Sequence, residues 1–514
     1  MKTPIIELRN IYKSFSGNKV LDNIDLKVYG GEILCLVGEN GSGKSTIIKI
    51  ISGVYEADEG KVILNGNLYK RLIPTDSIKE GIQVIYQDFS VFPNLTVAEN
   101  ISLGTQIVEG KKFVSWSRMR MEAEKALKKI GVELDLDEDV GNLSVAEKQI
   151  VAISRAILQE AKLIIMDEPT TALTQREIHK LYDIINGLSE RGIAVIFVSH
   201  KLDEVFQVCQ RITVVRNGVK VVDEHVDSFR KDKLIYYMTG QDIAEEPFKY
   251  REISEDSILS VSKITAKGAF ENISFELKPG EILGITGQLG SGRTELAKAL
   301  FGIIPIDSGE IKIKNKPIEL KNIRDALGNK IAYLPEDRLT EGLFLTRSVS
   351  DNINAVIVDK MTGRFGLIDK TKMNKEAKKW ISELKVNAPS VDIAASTFSG
   401  GNQQRLVLGK WLASQPEILV LNCPTVGVDV KSKSEIHRIV KELATSGLAV
   451  IMISDDIGEL LSSTNRILVM NNGKMTYQTE TQLASKELLS EKITDIIDEA
   501  GETEKGDETS AKYS

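Results

Sequence analysis

The sequence predicts an α/β protein that contains two copies of one domain. Three observations lead to this fold class. A glycine-rich phosphate loop stands between a strand-like apolar run and a helical pattern, further apolar runs alternate with helical stretches, and both features recur at an offset of 249 residues, from Gly38 to Gly287. Alternating strands and helices are typical of a parallel sheet with helices on its faces. A repeat of this length indicates tandem domains.

The first phosphate loop matches the pattern G-x-x-x-x-G-K-[ST] at every fixed position. The apolar run 32–37 predicts a buried strand before it, and the run 46–51 predicts a helix after it. Glycines let backbone N–H groups turn towards a phosphate, Lys44 would reach the terminal phosphates, and the Ser45 hydroxyl could ligate Mg²⁺. A glycine-rich turn without a ligand is the alternative. The predicted nucleotide-binding residues are Gly38, Glu39, Asn40, Gly41, Ser42, Gly43, Lys44, Ser45 and Thr46.

The second copy repeats the loop, with arginine in place of the lysine. The residues that we predict to bind nucleotide there are Gly287, Gly292, Arg293 and Thr294. The offset between the copies becomes 255 at the pair Ser144 and Ser399, which we interpret as a single shift of six residues inside one variable insert.

The repeat predicts domains at 1–242 and 255–498. A polar linker is expected at 243–254, and the tail at 499–514 is expected to be disordered. The helical pattern Met119–Ile130 interrupts the strand and helix alternation of the first copy. It predicts a small, mostly helical subdomain inserted between Gln87 and Ser144.

Composition excludes several classes of protein. A chain of 514 residues with 42% hydrophobic residues is long enough for several cores. A net charge of -7 does not favour nucleic acid as a partner. No run of eighteen apolar residues is present, so we expect no membrane insertion. The cysteines Cys35, Cys209 and Cys423 lack a C-x-x-C spacing, which argues against a disulfide framework and a zinc site.

Two acids end a second apolar run, at Asp167 and Glu168. Adjacent carboxylates at the end of a buried strand cost free energy unless a cation meets them. Asp167 would hold Mg²⁺, and Glu168 would polarise the attacking water as catalytic base. A loop that merely ends a strand is the alternative. His200 follows another apolar run and could contact the γ-phosphate, although a lone histidine is usually a structural residue.

The phosphate loop, Gln87, Ser144, the two acids and His200 occur in an order that resembles the ATP-binding cassette of ABC transporters. The resemblance covers nearly the whole chain as two cassettes, and it implies a RecA-like core with an inserted helical subdomain in each. The segments Gly292–Leu296, Pro335–Arg338 and Ser399–Gln404 look like those of two-cassette ATPases from bacterial monosaccharide importers of the ribose, galactose and xylose type.

This resemblance implies cofactors, partners and a location. ATP and Mg²⁺ are the implied cofactors. The implied partners are membrane permease subunits and, indirectly, an external sugar-binding protein, without nucleic acid. The chain would lie peripherally on the cytoplasmic face of the cell membrane.

In this family two cassettes close head to tail, so each ATP site takes its signature from the other cassette, and the two cassettes can belong to one chain or to two copies of it. The resemblance implies a hydrolytic first site, in which Gln87 has both a catalytic and a metal-binding role. The full set for that site is Lys44, Ser45, Gln87, Asp167, Glu168 and His200 with Ser399, Gly400, Gly401, Asn402, Gln403 and Asp429.

The second site would be degenerate, because its key positions are altered to Glu336, Asn422, Cys423 and Asp455, and it faces the signature Ser144–Glu147. Losing a positioned base alone costs about 10²- to 10⁴-fold in rate.

Phe15, ahead of a turn predicted at Asp22-Asn23, resembles the aromatic residue that stacks on adenine in the family. A core phenylalanine is the alternative.

Two other functions stay open. A nucleoside importer ATPase has the same architecture. A soluble twin-cassette ATPase acting on ribosomes or DNA would need basic surfaces or a long charged linker, and two competent sites. The sequence cannot name a sugar, because the sugar would not touch this chain.

Overall fold

The structure is a computed structural model that describes residues 3–86, 90–108, 115–170, 173, 175–199, 201–242, 248, 256–288, 290–363, 366–485, 488–489 and 492. The chain divides into two compact units, unit 1 at Met1–Ile243 and unit 2 at Ala244–Ser514. The predicted linker at 243–254, apart from Phe248, and the predicted tail at 499–514 lie outside the described residues.

Unit 1 combines a sheet domain with a helical insert. Its strands are β1 (Ile6–Phe15), β2 (Asn18–Val28), β3 (Ile33–Val37), β4 (Glu59–Leu64), β5 (Asn67–Tyr69), β6 (Ile82–Ile85), β7 (Leu163–Asp167), β8 (Ala194–Val198), β9 (Arg211–Arg216) and β10 (Val219–His225). Its helices are α1 (Lys44–Ile51), α2 (Pro74–Lys79), α3 (Val97–Val108), α4 (Trp116–Ile130), α5 (Val145–Leu158), α6 (Gln175–Glu190), α7 (Leu202–Val208) and α8 (Lys231–Thr239).

Unit 2 repeats this order of elements. Its strands are β11 (Leu259–Ala266), β12 (Phe270–Leu277), β13 (Ile282–Gly287), β14 (Ser308–Ile313), β15 (Lys316–Ile318), β16 (Ile331–Leu334), β17 (Ile418–Asn422), β18 (Ala449–Ile453), β19 (Arg466–Asn471) and β20 (Lys474–Glu480). Its helices are α9 (Arg293–Leu300), α10 (Ile323–Gly328), α11 (Val349–Asn354), α12 (Lys370–Glu383), α13 (Gly400–Leu412), α14 (Val430–Thr445) and α15 (Ile457–Ser463), with a π-helical turn at Arg338–Gly342.

Among the described residues, each unit has one six-stranded sheet and one four-stranded sheet. The six-stranded orders are β10-β9-β3-β8-β7-β6 and β20-β19-β13-β18-β17-β16, parallel except for the outer strands β10 and β20. The carboxyl ends of β3, β7 and β8 therefore meet at one edge, where a ligand site is expected in such sheets.

The predicted α/β class with tandem cassettes is confirmed. The central strands β3 and β8 are buried along their whole length, as continuous apolar runs predict for parallel strands. The helical insert is also confirmed, but it extends past Ser144, because α5 packs with α3 and α4 around one apolar cluster, which includes Ile101, Ala126, Leu127 and Val151. Within the described ranges, no helix combines the length and the apolar character that crossing a bilayer requires.

Two details of the prediction are wrong. The turn expected at Asp22-Asn23 lies instead at residues 16–17, and β2 runs through Asn23, whose φ of 55° lets the strand bulge. The antiparallel sheets β2-β1-β4-β5 and β12-β11-β14-β15 were not predicted.

The shift of six residues between the copies is also not a single step. A buried asparagine holds the same loop in both units, and the pair Asn100 and Asn352 has an offset of 252. Unit 2 therefore has three additional residues before this asparagine and three more between it and the signature serine.

Candidate nucleotide-binding sites

The phosphate loop of unit 1 joins β3 to α1 and holds its lysine inside the curve of the backbone. Lys44 is 7% exposed, and its Nζ donates hydrogen bonds to Gly38 O at 2.8 Å and to Glu39 O at 2.9 Å. The Ile47 N–H makes a helical bond to Gly43 O, so the N–H groups of residues 44–46 precede the first helical bonds. A cation and a helix start therefore converge, as anion binding requires.

Steric contacts explain two of the loop glycines. A Cβ at Gly38 would lie 2.1 Å from Val215 O and 2.6 Å from Ser42 Oγ. A Cβ at Gly43, whose φ is 109°, would lie 2.6 Å from the side chain of Leu21. The approach of a backbone carbonyl therefore fixes glycine at position 38, and the left-handed φ favours it at position 43, independently of any ligand.

The two acids of unit 1 stand at the end of β7, beside the neighbouring strand β8. Burial raises the pKa of Asp167 above its usual value, the Glu168 charge raises it further, and Lys44 and Lys49 act in the opposite direction. Glu168 has a left-handed φ of 49°, and its N–H donates to Val198 O at 2.9 Å. This uncommon conformation for a side-chain-bearing residue turns the carboxylate at the edge of the sheet.

This pair of acids fits a divalent cation by its chemistry. Two neighbouring, partly buried carboxylates disfavour each other's charge, and a hard cation with oxygen ligands removes that cost. Asp167 and the exposed hydroxyl of Ser45 are the described oxygen donors that would hold Mg²⁺.

Glu204, on α7, is a buried carboxylate that the sequence analysis missed. It is 6% exposed, and its oxygens accept hydrogen bonds from Thr170 Oγ1 at 2.6 Å and from Ser199 Oγ at 2.7 Å. One carboxylate thus ties the loop after the acids to the loop that leads to the candidate histidine. Glu459 of unit 2 accepts the corresponding bond from Thr425 Oγ1 at 2.7 Å. An acid repeated at the offset of 255 was the available signal.

Three predicted residues need separate mention. His200 and Gln87 lie outside the described residues, so their roles stay predictions. Phe15 ends β1 with 37% exposure, and its ring meets the edge of Tyr55 at a centroid distance of 5.1 Å. It is therefore a surface residue and not a core phenylalanine, and its contact with adenine stays a prediction.

The phosphate loop of unit 2, with Gly287, Gly292, Arg293 and Thr294, has the same path between β13 and α9. Arg293 Nη1 donates to Gly287 O at 2.5 Å, which corresponds to the bond from Lys44 to Gly38. The guanidinium also pairs through Nη2 with the carboxylate of Asp455, the residue at the histidine position. The Asp455 carboxylate is therefore already paired with the guanidinium that a phosphate would need.

Asn422 stands at the position of unit 2 that corresponds to Asp167, and its side chain lies in the core. Asn422 is fully buried, and its Nδ2 donates to the Tyr333 hydroxyl at 3.5 Å. Tyr333 stands where unit 1 has Val84, at the offset of 249. Burial raises the pKa of the Cys423 thiol to about 12, so it stays protonated at neutral pH. Cys423 nevertheless has the same backbone conformation as Glu168. Its φ is 48°, and its N–H donates a hydrogen bond to Ile453 O at 2.9 Å.

The signature of unit 2 begins α13 with an open helix start. Ser399 is the N-cap residue, but its hydroxyl makes no capping bond to the helix and accepts instead from Asn402 Nδ2 at 3.2 Å. No acid stands in the first turn, and Gly400 and Gly401 add no side chains. Such a start suits an anion. Gln403 is buried, and its Nε2 donates to Ala395 O at 3.2 Å.

The signature of unit 1 is closed on itself. The Ser144 hydroxyl accepts from Glu147 N–H at 3.3 Å, and the Glu147 carboxylate accepts from Ser144 N–H at 2.8 Å. This capping box satisfies the helix start and places a negative charge there. The start of α5 is thus less suited to a phosphate than the start of α13.

A phosphate loop at the edge of a parallel sheet, with two acids on a neighbouring strand, defines a P-loop nucleoside triphosphatase. In unit 1 the described residues include the phosphate loop with Lys44 and the acids Asp167 and Glu168, whereas unit 2 has Arg293, Asn422 and Cys423 at the corresponding positions.

Comparison with known proteins identifies the family. A family model described as ABC transporter matches residues 21–171 and 270–426. A ribose import ATP-binding protein, RbsA, from Clostridium tetani is 42% identical over 94% of this chain and 96% of its own length. An Agrobacterium fabrum protein, provisionally named as a ribose/galactose/methyl galactoside import ATP-binding protein, is 37% identical over 95% of this chain and 96% of its own. A solved ATP-binding cassette of an ABC transporter, in its ADP conformation, covers 47% of this chain and 100% of its own, with 26% identity and a TM-score of 0.42.

The chain belongs to the ABC transporter family, and units 1 and 2 are its two ATP-binding cassettes. It is an ABC-type ATPase. The two family matches fall on the two units, in agreement with the tandem repeat expected from the sequence.

Proposed function

We propose that this chain hydrolyses ATP to power the import of a monosaccharide through a separate membrane permease. The proposal on substrate rests on the relatives, whose names specify import of ribose, and in one case also of galactose and methyl galactoside. Ribose is therefore the first sugar to test. The chain would work at the cytoplasmic face of the membrane, bound to the permease, and an external binding protein would deliver the sugar.

The asymmetry between the two signatures carries the proposal for the ATP sites. An open start such as that of α13 would complete a site built on the phosphate loop of a unit 1, of the same chain or of a second copy, whereas a capped start such as that of α5 would face the altered loop of a unit 2. We infer one hydrolytic composite site and one degenerate composite site. Gly400 and Gly401 would allow close approach of the backbone to the terminal phosphate.

In the hydrolytic site, the residues of unit 1 divide the work. Lys44 and the start of α1 would bind and orient the phosphates. Glu168 would accept the proton of the attacking water, with His200 as the expected orienting residue and Gln87 as an expected ligand. Mg²⁺, held by Ser45 and Asp167, would supply charge neutralisation for the phosphates when bound.

In the degenerate site, the same positions oppose turnover. Cys423 would carry no charge at neutral pH, and Asn422 is directed at Tyr333. Arg293 is already paired with Asp455. We propose that this site does not hydrolyse ATP at a significant rate.

An anchored aromatic residue in each unit is suited to contact the permease. Phe92 is 54% exposed, although its backbone is fixed on both sides by Asn100, which accepts from Phe92 N–H at 2.8 Å and donates to Phe92 O at 2.9 Å. Phe344 is 61% exposed and is held by Asn352 in the same way. An exposed aromatic side chain on a fixed backbone is suited to serve as an interface anchor.

Substitution of the proposed base tests the hydrolytic site. Glu168→Gln should lower kcat for ATP by about 10²- to 10⁴-fold and leave ATP bound, because the amide cannot accept the proton. Glu190→Gln, an equal charge change at an exposed position of unit 1, is the matched control. A Glu168→Gln protein that hydrolyses ATP at the unmutated rate would contradict the assignment.

The partner and the substrate are tested separately. The permease of the same importer should co-purify with this chain, and ribose should protect the sugar-binding protein of that importer from thermal unfolding. Protection by a nucleoside would favour the nucleoside importer, and co-purification with ribosomes would favour the soluble alternative.

A further inference from the structure

Unit 2 has three additional residues directly after the position of the predicted glutamine. Seven residues separate Glu336 from Phe344, whereas four separate Gln87 from Phe92. The longer segment of unit 2 forms the π-helical turn Arg338–Gly342, and such turns occur often at functional sites.

This turn is fixed at both ends. Asp337 caps it, because its Oδ1 accepts from the N–H groups of Leu339 at 2.9 Å and Thr340 at 3.2 Å. At the other end, Gly342 O accepts a hydrogen bond from Nζ of Lys410, a buried residue of α13. The side chain of Arg338 therefore projects from a rigid base.

The Arg338 guanidinium joins two loops that are distant in the sequence. Nη1 donates to Val426 O at 2.7 Å, and Nη2 donates to Gly427 O at 3.2 Å. Nε lies 3.5 Å from Gln403 Oε1, in the first turn of α13. A forked cation thus binds the loop 426–429 on one side and the signature start 399–403 on the other.

Two glycines allow the signature start to approach the loop 426–429 closely. A Cβ at Gly400 would lie 2.9 Å from Arg338 Nη2 and 2.9 Å from Gly427 O. A Cβ at Gly401 would lie 2.0 Å from Ser432 Oγ, and that hydroxyl in turn donates to Asp429 at 2.9 Å. The signature start and the loop 426–429 are therefore packed as one block, and Arg338 is the charged side chain between them.

We propose that Arg338 is a positioning residue for ATP hydrolysis, which holds the signature start and the loop 426–429 of unit 2 in the arrangement that a composite ATP site requires. This inference rests on the composite site proposed above. Arg338 contacts no phosphate in this role. It acts through the backbone carbonyls of residues 426 and 427 and through Gln403, and a displacement of about 1 Å at such a site can cost about 100-fold in rate.

The test compares three variants of the full chain. Arg338→Met removes the guanidinium and keeps the length of the side chain, Arg338→Lys keeps the charge without the fork, and Arg324→Met changes an exposed arginine of α10 as the matched control. For each variant we would measure kcat and KM for ATP, the equilibrium binding of a fluorescent ATP analogue, and the melting temperature.

Arg338→Met should lower kcat/KM by about 10- to 100-fold, with analogue binding to unit 1 unchanged, because Lys44 and its loop are intact. Arg338→Lys should recover part of the loss, since one ammonium can reach one of the two carbonyls. Arg324→Met should behave as the unmutated chain.

If Arg338→Met has the same kcat and KM for ATP as the unmutated chain, the inference is wrong. A loss of rate with an equal loss of analogue binding would also overturn it, because that result indicates general unfolding. If Arg338→Met does not fold, an unmutated kcat/KM in Arg338→Gln would refute the role. Failure of the proposed function is recognised independently, because Glu168→Gln would then hydrolyse ATP normally.

Discussion

The ion pair between Arg293 and Asp455 predicts that the second site can be made to bind nucleotide more tightly. Asp455→Asn removes the carboxylate charge that now neutralises the guanidinium, and it keeps the size of the side chain. The phosphate loop of unit 2 is otherwise in place, with Gly287 and Gly292 in the same close approaches as in unit 1. The freed cation should therefore attract the phosphates of ATP.

The size of this effect follows from the exposure of the two partners. Arg293 is buried, with 6% of its side chain exposed, whereas Asp455 is 65% exposed. A charge-assisted hydrogen bond contributes about 1.5–3 kcal/mol when both partners are shielded, but the exposed partner reduces this to about 1 kcal/mol. That value corresponds to an affinity for ATP about fivefold higher. The unliganded variant should melt at a lower temperature, because Arg293 is left buried and less well paired.

The assay needs a background in which unit 1 does not bind. Lys44→Ala provides it, and the dissociation constant of a fluorescent ATP analogue is then compared with and without Asp455→Asn. Asp456→Asn is the matched control, because this neighbouring acid is paired with Lys433. An unchanged or weaker affinity in Asp455→Asn, or an equal gain in Asp456→Asn, would refute the reasoning.

Two further predictions concern stability and the permease. Burial lowers the pKa of Lys410 from its usual 10.5 to about 8, so between pH 8 and 10.5 the unfolded chain binds more protons than the folded chain. The free energy of unfolding of unit 2 should then gain a rising contribution as the pH increases through this window, and urea denaturation of Lys410→Met should lack it. An identical pH slope in both proteins would contradict this. Phe92→Ser should leave the ATPase activity of the isolated chain unchanged and weaken its binding to the permease in pull-down, with the exposed Leu68→Ser as control; equal binding by both variants would exclude Phe92 as an anchor.

Much of the fold was predictable, because its signals are local and repeated. Glycine spacing marks both phosphate loops, and apolar runs mark the buried strands, since parallel strands have no polar face. The antiparallel sheets were missed because β1 and β2 carry bulges, which break the alternation of apolar and polar residues.

The candidate sites were predictable in composition and less so in their contacts. The pairing of Arg293 with Asp455 joins residues that are far apart in the sequence, and no local pattern announces it. The capping box of Ser144 and Glu147 was visible as the pattern S-x-x-E. It was missed because the same four residues were interpreted only as a modified signature. The hydrogen-bonding role of Glu204 required the fold, since it depends on two loops that meet at one edge of the sheet.

The shared left-handed turn at Glu168 and Cys423 has a consequence for engineering the second unit. At this turn the main chain of unit 2 follows the same path as that of unit 1, so the two units differ here in their side chains and not in their backbone conformation. Substitution of Asn422 by aspartate and of Cys423 by glutamate would therefore require no change in the backbone conformation. Tyr333, however, lies next to residue 422. A smaller residue would be needed at position 333 before a carboxylate at position 422 could face outward.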